Sequence, residues 1–226
     1  AVCGENTPLI IEDAAHACGT PGVGKKADIA VWSFQAVKTL PIFDGGAITT
    51  NDEKIYEKLR KLTWLGIEKS TYDRVGSKRY TWDYDITHGG TKSYMTDVQA
   101  VIGLGQLRRI DELLAKRRMI QTLYNEAFEK ISQIKTPKFS HTVQYYTVQC
   151  DKRDALSEYL ADNGIITSVH FKPLSEMTYW KRAAKNPLPV NDTVWRKLLT
   201  LPCHDSLTLA EINYIIEKVE EFYKED

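Results

Sequence analysis

Ile11-Glu12-Asp13-Ala14-Ala15-His16-Ala17, Trp32-Ser33-Phe34-Gln35-Ala36-Val37-Lys38 and Asp44-Gly45-Gly46-Ala47 are the stretches whose reading decides the fold. Each adjoins a short apolar run: Leu9-Ile10-Ile11, Ile29 to Trp32, and Ala47-Ile48. Short apolar runs bounded by Gly and polar residues read as strands. Strands apolar on both faces belong to α/β proteins. We therefore expect a buried strand over Pro8 to Ile11 ending in Glu12-Asp13, a second over Ile29 to Phe34, and a third from Gly45 to Thr50. Gly19, Gly22 and Gly24 mark a glycine-rich loop between the first two.

Working outward, Asn51-Asp52 caps a helix expected over about Glu53 to Leu65. Residues 66 to 94, rich in Tyr, Gly, Lys and Asp and holding Trp82, read as a long functional loop. Thr96-Asp97 opens the longest helix, whose apolar residues keep helical spacing from Val98 to about Ile131. Pro137 breaks the chain and sets the expected boundary between two domains, 1–136 and 137–226. The second domain reads as a small α/β unit: a strand at Val143 to Gln149, a helix from Lys152 to Asn163 with Gly164 as its C-cap, a strand from Ile165 to Phe171, and a last helix from Ala210 to Tyr223 capped by Thr208.

Composition excludes several classes. The 226 residues are 42% hydrophobic, enough for a globular core, and Lys plus Arg (30) equals Asp plus Glu (30). That balance points to neither nucleic acid nor an anionic membrane as partner. No run approaches the ~20 apolar residues of a membrane helix. Cys3, Cys18, Cys150 and Cys203 are widely spaced and form no CxxC pair, so zinc or a disulfide framework is not expected. Reduced thiols fit a cytoplasmic protein. There is no GxGxxG or GxxxxGK[ST], which argues against a nucleotide-binding glycine loop and a Rossmann oxidoreductase.

Taken in order, the three opening stretches resemble the DegT/DnrJ/EryC1/StrS family of pyridoxal-phosphate (PLP)-dependent sugar aminotransferases, with its E-D-A-A-H/Q, S-F-x-x-x-K and E-G-G-A motifs. Met95-Thr96-Asp97 with Ala100, Gly103-Leu104 and Gln106-Leu107 is similar to the start of that family's long helix. Val169-His170-Phe171-Lys172-Pro173-Leu174 resembles V-H-Y-x-P-L, and Leu201-Pro202 with Leu207-Thr208 resembles the closing L-P…L-T. Two departures stand out: Asp44 replaces the usual Glu, and Lys92 occupies a position where relatives often carry Asn.

The resemblance implies a fold-type I PLP-dependent transferase: a partial PLP-binding large domain with the long helix, then a small C-terminal α/β domain. It implies PLP as cofactor and Lys38 as the Schiff-base lysine. A lysine serves as nucleophile and base only where its site favours the neutral amine or ties it up as an imine. Asp13 is then the partner of the pyridinium nitrogen; a carboxylate at the end of a buried strand is expensive unless a cation faces it. His16 is placed near the ring and its 3-oxygen. Ser33 is placed at the phosphate, and Lys92 at the phosphate of a neighbouring subunit's cofactor. Each has an ordinary reading as well: a solvated loop lysine for Lys38, a helix N-cap for Asp13, a structural imidazole for His16, a turn serine for Ser33. Gly45-Gly46 is expected to permit close backbone approach or positive φ.

The implied reaction moves an amino group from an amino-acid donor, glutamate, to a nucleotide-linked keto-deoxy-sugar, in a homodimer. Related sugar dehydratases carry His at the lysine position, so Lys38 argues against dehydration; a non-catalytic member of the fold is the other alternative. The chain is also expected to be the C-terminal part of a longer protein, inactive alone. Three strands form a small sheet with an exposed edge, and no counterpart appears for the family's upstream segment that stacks on the cofactor. PLP titration of the 226-residue chain, beside a version extended upstream, checks this: the short chain should bind weakly, and tight stoichiometric binding with turnover would overturn it.

Overall fold

The structure, a computed structural model, describes residues 8–69, 84–182, 186 and 188–224. It divides after Ile110 into two compact units.

In the first unit β1 (Ile11–Asp13), β2 (Ile29–Ser33) and β3 (Gly46–Thr50) form a mixed sheet in that order. β1 and β2 are parallel, with Asp13 opposite Val31; β2 and β3 are antiparallel, with Ser33 opposite Gly46. α1 (Glu53–Leu62) starts at Asp52, whose side chain accepts the Ile55 N–H at 3.0 Å. α2 (Asp97–Arg108) begins with a reciprocal capping box between Thr96 and Gln99. The three strands fall where the pattern places them, but the first is not buried. Leu9, Ile10 and Ile11 are 54%, 52% and 60% exposed, and Val31 and Ile48 are exposed as well. Apolar sequence records what a strand tends to bury; it does not supply the layer that covers it. Of the long loop expected over 66–94, positions 70–83, Trp82 among them, lie outside the described residues.

The single long helix expected from Thr96 to Ile131 is two. α2 ends at Arg108, Arg109 caps it, and α3 (Ile110–Phe128) follows. The two halves serve different ends. Val98, Val101, Leu104 and Leu107 of α2 are exposed, whereas Leu113, Leu114, Ile120, Tyr124 and Phe128 of α3 are buried. Apolar spacing runs straight through a one-residue break, so periodicity cannot see it. The unit boundary after Ile110, not at Pro137, follows from the same fact: α3 spends its buried face on the second unit's core, and Pro137 lies inside that unit.

In the second unit β4 (Ile134–Lys135), β5 (Tyr146–Cys150) and β6 (Leu198–Leu201) make an antiparallel sheet in that order. α3, α4 (Arg153–Asp162) and a C-terminal helix (Leu209–Lys224) supply the rest of the core. Tyr124, Phe128, Tyr146, Leu156, Leu160, Leu199, Ile212 and Val219 meet there, each almost fully buried. Gly164 ends α4 at φ 77°, and Thr208 exchanges cap bonds with Glu211, as the sequence indicates. The strand expected over Ile165 to Phe171 shrinks to one bridge, Ser168 to Thr200, while Leu198–Leu201 pairs instead. Ile166 is 85% exposed, so the apolar run there is not a buried strand. The buried Arg117 guanidinium donates to the carbonyls of Val143 (3.1 Å), Gln144 (3.3 Å) and Cys203 (2.9 Å), pinning both approaches to the sheet. No helix among the described residues is long and apolar enough to cross a membrane.

Leu160 is fully buried in this second core. Leu160→Ala should destabilise that unit by about 2–5 kcal/mol through lost transfer energy and a residual cavity. Urea unfolding followed by tyrosine fluorescence checks it, and a loss below about 1 kcal/mol would mean the core is loosely packed there.

Candidate active site

Parallel pairing of β1 and β2 brings Asp13 and Ser33 to the same edge of the sheet, the carboxyl end of both strands. The Ala14 N–H donates to Val31 O at 2.8 Å and carries the pairing past the last strand residue. Ligands of open α/β sheets bind at such an edge. Just upstream, Glu12 accepts the Gly24 N–H at 2.6 Å, which fixes the glycine-rich loop against the strand.

Asp13 is exposed, not buried, so the cost of burying a carboxylate does not apply to it in this chain. Its Oδ1 accepts the Ala15 N–H at 3.0 Å, the local turn bond that a short acidic side chain makes after a strand. Ser33 is half-buried, with its Oγ 3.5 Å from the Gln35 nitrogen, a long and weak turn bond. Lys38 is half-buried between exposed Val37 and the buried run Thr39-Leu40, and its N–H donates to Gln35 O at 2.8 Å.

The lysine loop closes on itself. Phe34 N–H donates to Gly45 O (2.9 Å), Ala36 N–H to Phe43 O (2.8 Å) and Ile42 N–H to Phe34 O (2.8 Å). Ile42, fully buried, is the loop's anchor. The two glycines behave as expected. Gly45 has φ 139°, and a Cβ there would press on Ile42; a Cβ on Gly46 would run into the Trp32 carbonyl oxygen.

His16 reports on its neighbours. Its pKa lies below the usual imidazole value, first because packed atoms desolvate the ring and then because the Lys38 ammonium repels a second cation; the Asp13 carboxylate opposes both. The ring's surface is largely open, so the desolvation is partial. His16 is thus within electrostatic reach of both Asp13 and Lys38, at the edge that also carries Ser33. Lys92 is not part of this group. Its ammonium lies over the rings of Trp64 (5.9 Å) and Tyr94 (5.6 Å), in a segment tied to the end of α1 by Thr91 N–H to Leu62 O and Ser93 N–H to Thr63 O.

The structure adds three features to these motif residues. A groove of about 920 Å³ runs along β2 and β3 beside Tyr56, Tyr94, Met95 and Gln99, but contains none of Asp13, His16, Ser33 or Lys38. The Asp44-Gly45-Gly46-Ala47 stretch lines part of it, but nothing in that motif signals a groove. Gln99 bonds across to the lysine loop, and the Thr-x-x-Gln spacing of a capping box was its available signal. In the second unit, His170 stacks on Tyr145 (3.7 Å, 12°) and its Nδ1 lies 2.9 Å from Thr200 Oγ1.

Residues 1–220 match the DegT/DnrJ/EryC1/StrS aminotransferase family, which is almost the whole chain and includes both units. The chain belongs to this family. Among curated relatives it is 32% identical to UDP-4-amino-4,6-dideoxy-N-acetyl-beta-L-altrosamine transaminase of Campylobacter jejuni, over 96% of this chain and 61% of that protein. It is 31% identical to the spore coat polysaccharide biosynthesis protein SpsC of Bacillus subtilis, over 99% and 62%. The chain therefore spans about three-fifths of the length of the curated relatives it matches. The PMP form of Spr1654 from Streptococcus pneumoniae superposes with a TM-score of 0.86 at 29% identity, over 96% of this chain and 59% of that one. The fold is thus that of the fold-type I PLP-dependent sugar aminotransferases. Members of this family use PLP, and Spr1654 has been solved in its PLP form as well.

Proximity of the three charged groups has a direct check. Lys38→Met should raise the His16 pKa, because a repelling cation is gone, and Asp13→Asn should lower it further. An NMR titration of the His16 ring in the 226-residue chain reads both signs, and two unchanged midpoints would show that the groups do not face one another.

Proposed function

We propose that the whole protein is a PLP-dependent aminotransferase that passes an amino group, from glutamate, to a nucleotide-linked keto-deoxy-sugar. The observation that carries this reading is the grouping of Lys38, Asp13 and His16 beside Ser33 at the carboxyl edge of parallel strands. The donor set suits the cofactor part by part: a primary amine for its aldehyde, a carboxylate for its ring nitrogen, and a hydroxyl with turn N–H groups for its phosphate. When bound, PLP supplies an aldehyde that takes up the amine and a protonated ring that withdraws electrons from the reacting carbon.

The chain's own residues do the rest. Lys38 Nζ accepts the proton that leaves the donor's α-carbon and returns one later, as general base and then general acid. Asp13 holds negative charge toward the ring nitrogen and keeps it protonated. With its pKa lowered, His16 stays neutral at pH 7, so its ring both donates and accepts a hydrogen bond without adding charge beside Lys38. Ser33 Oγ, 3.5 Å from the Gln35 nitrogen, offers a hydroxyl to a phosphate oxygen. Lys92 provides a phosphate cation to a neighbouring copy in a homodimer. A dimer is supported by the exposed Val98, Val101, Leu104 and Leu107 of α2, since large apolar patches seldom stay bare. The substrate class rests on relatives: the Campylobacter jejuni transaminase carries a UDP-linked amino-sugar in its name.

Borohydride treatment of the whole protein with PLP should fix the label on the peptide holding Lys38, and Lys38→Ala should abolish turnover. Asp13→Ala should lower turnover by about 10²- to 10⁴-fold with the label still forming. Peptide mass mapping, a coupled assay on nucleotide keto-sugars and light scattering read these outcomes. Label elsewhere, near-normal activity in Asp13→Ala, or a monomer would each overturn the corresponding part.

A further inference from the structure

The loop that carries Lys38 returns to the sheet through Phe43, Asp44 and Gly45. Phe43 sits at φ 74°, a left-handed conformation that a bulky side chain rarely adopts, and its side chain is 73% exposed. Such a turn persists when its surroundings hold it. Two contacts reach it from α2. Gly103 leaves room for Ile42; a Cβ there would stand 3.2 Å from Ile42 Cγ2. Gln99 Nε2 donates to Asp44 O at 2.7 Å.

Gln99 is also fully engaged at its other end. Its Oε1 accepts the N–H and the hydroxyl of Thr96, both at 2.9 Å, while its own N–H donates to Thr96 Oγ1 at 3.3 Å. One amide thus caps α2 with its oxygen and ties down the lysine loop with its nitrogen. A glutamate does the first job as well as a glutamine but has no N–H for the second.

Resting on the reading of Lys38 above, we propose that Gln99 is a positioning residue for Lys38: its amide nitrogen holds the Phe43–Gly45 arm against the start of α2 and so fixes where the lysine amine stands. The task needs both halves of the side chain. The carbonyl aims the amide by accepting from Thr96, and the amide fastens the loop. Replacing the donor by a carboxylate oxygen sets two acceptors face to face at Asp44, which pushes the arm off the helix while the cap survives.

Gln99→Glu tests this against Thr96→Ala, which loses the hydroxyl cap bonds but keeps the Thr96 N–H on Gln99 Oε1, so the amide nitrogen stays aimed at Asp44. Hydrogen exchange in the 226-residue chain should show the Phe34, Ala36 and Ile42 amides of Gln99→Glu losing protection by roughly tenfold. The Tyr56 amide of α1 and the Ala14 amide between β1 and β2 should be unchanged. Thr96→Ala should lower the melting temperature without selective loss at the loop. In the whole protein, Gln99→Glu should lower kcat by about ten- to a hundredfold with KM within twofold, since a small displacement of a reacting group costs rate more than affinity. Unaltered loop exchange in Gln99→Glu, equal loosening by Thr96→Ala, or a change in KM alone would overturn the proposal. The exchange arm needs no cofactor, so it stands or falls separately from the borohydride experiment that decides the reading of Lys38.

Discussion

Parallel pairing of Ile11–Asp13 with Ile29–Ser33 is the constraint on which the candidate site depends. Parallel strands present their carboxyl ends at one edge, so residues remote in sequence, Asp13 and Ser33, share a margin without touching in the chain. The antiparallel return of Gly46–Thr50 then sends everything between Ser33 and Gly46 out over that same edge. Lys38 lies in that excursion, and three backbone bonds hold the loop that carries it. Slipping the first pair by one residue would turn Asp13 to the other face and dissolve the group.

Charge completes what pairing begins. At a few ångströms an ammonium and an imidazolium repel, and a carboxylate relieves both. The pKa of His16 is depressed first by desolvation of the ring and then by the Lys38 ammonium, and Asp13 only partly offsets the two. Because Asp13 and His16 are exposed here, water screens these interactions. Enclosing the edge would lower the local dielectric and strengthen all of them together. A site of this kind gains most from whatever closes over it.

The second unit is organised differently. Its core is its own, built from aromatic residues of α3 and β5 and aliphatic residues of three helices. One nitrogen of the Arg117 guanidinium donates to three carbonyls, and Tyr124 donates to Pro202 O at 3.0 Å. Burial pushes the Cys203 thiol up to about 11, which leaves it protonated and inert. The first unit, by contrast, carries its apolar residues on the outside of β1, β2, β3 and α2.

The sequence by itself determined the three strands of the first unit and their polar ends, the caps at Asp52, Thr96, Thr208 and Gly164, the family, and the residue types at the sheet edge, because these are local: period, capping chemistry and motif order are written within a few residues. The same pattern predicts a buried Asp13 and the structure exposes it, since apolar neighbours in sequence say nothing about which layer covers a strand. Only the tertiary structure decided that the long helical pattern breaks at Arg109, that Ser168 pairs with Thr200 without a strand around it, and that the units divide after Ile110. It alone placed Gln99 against Asp44, fifty-five residues away in sequence. Those outcomes depend on pairing between distant segments, where the free energy of a contact is set by what packs against it and not by the residues on either side.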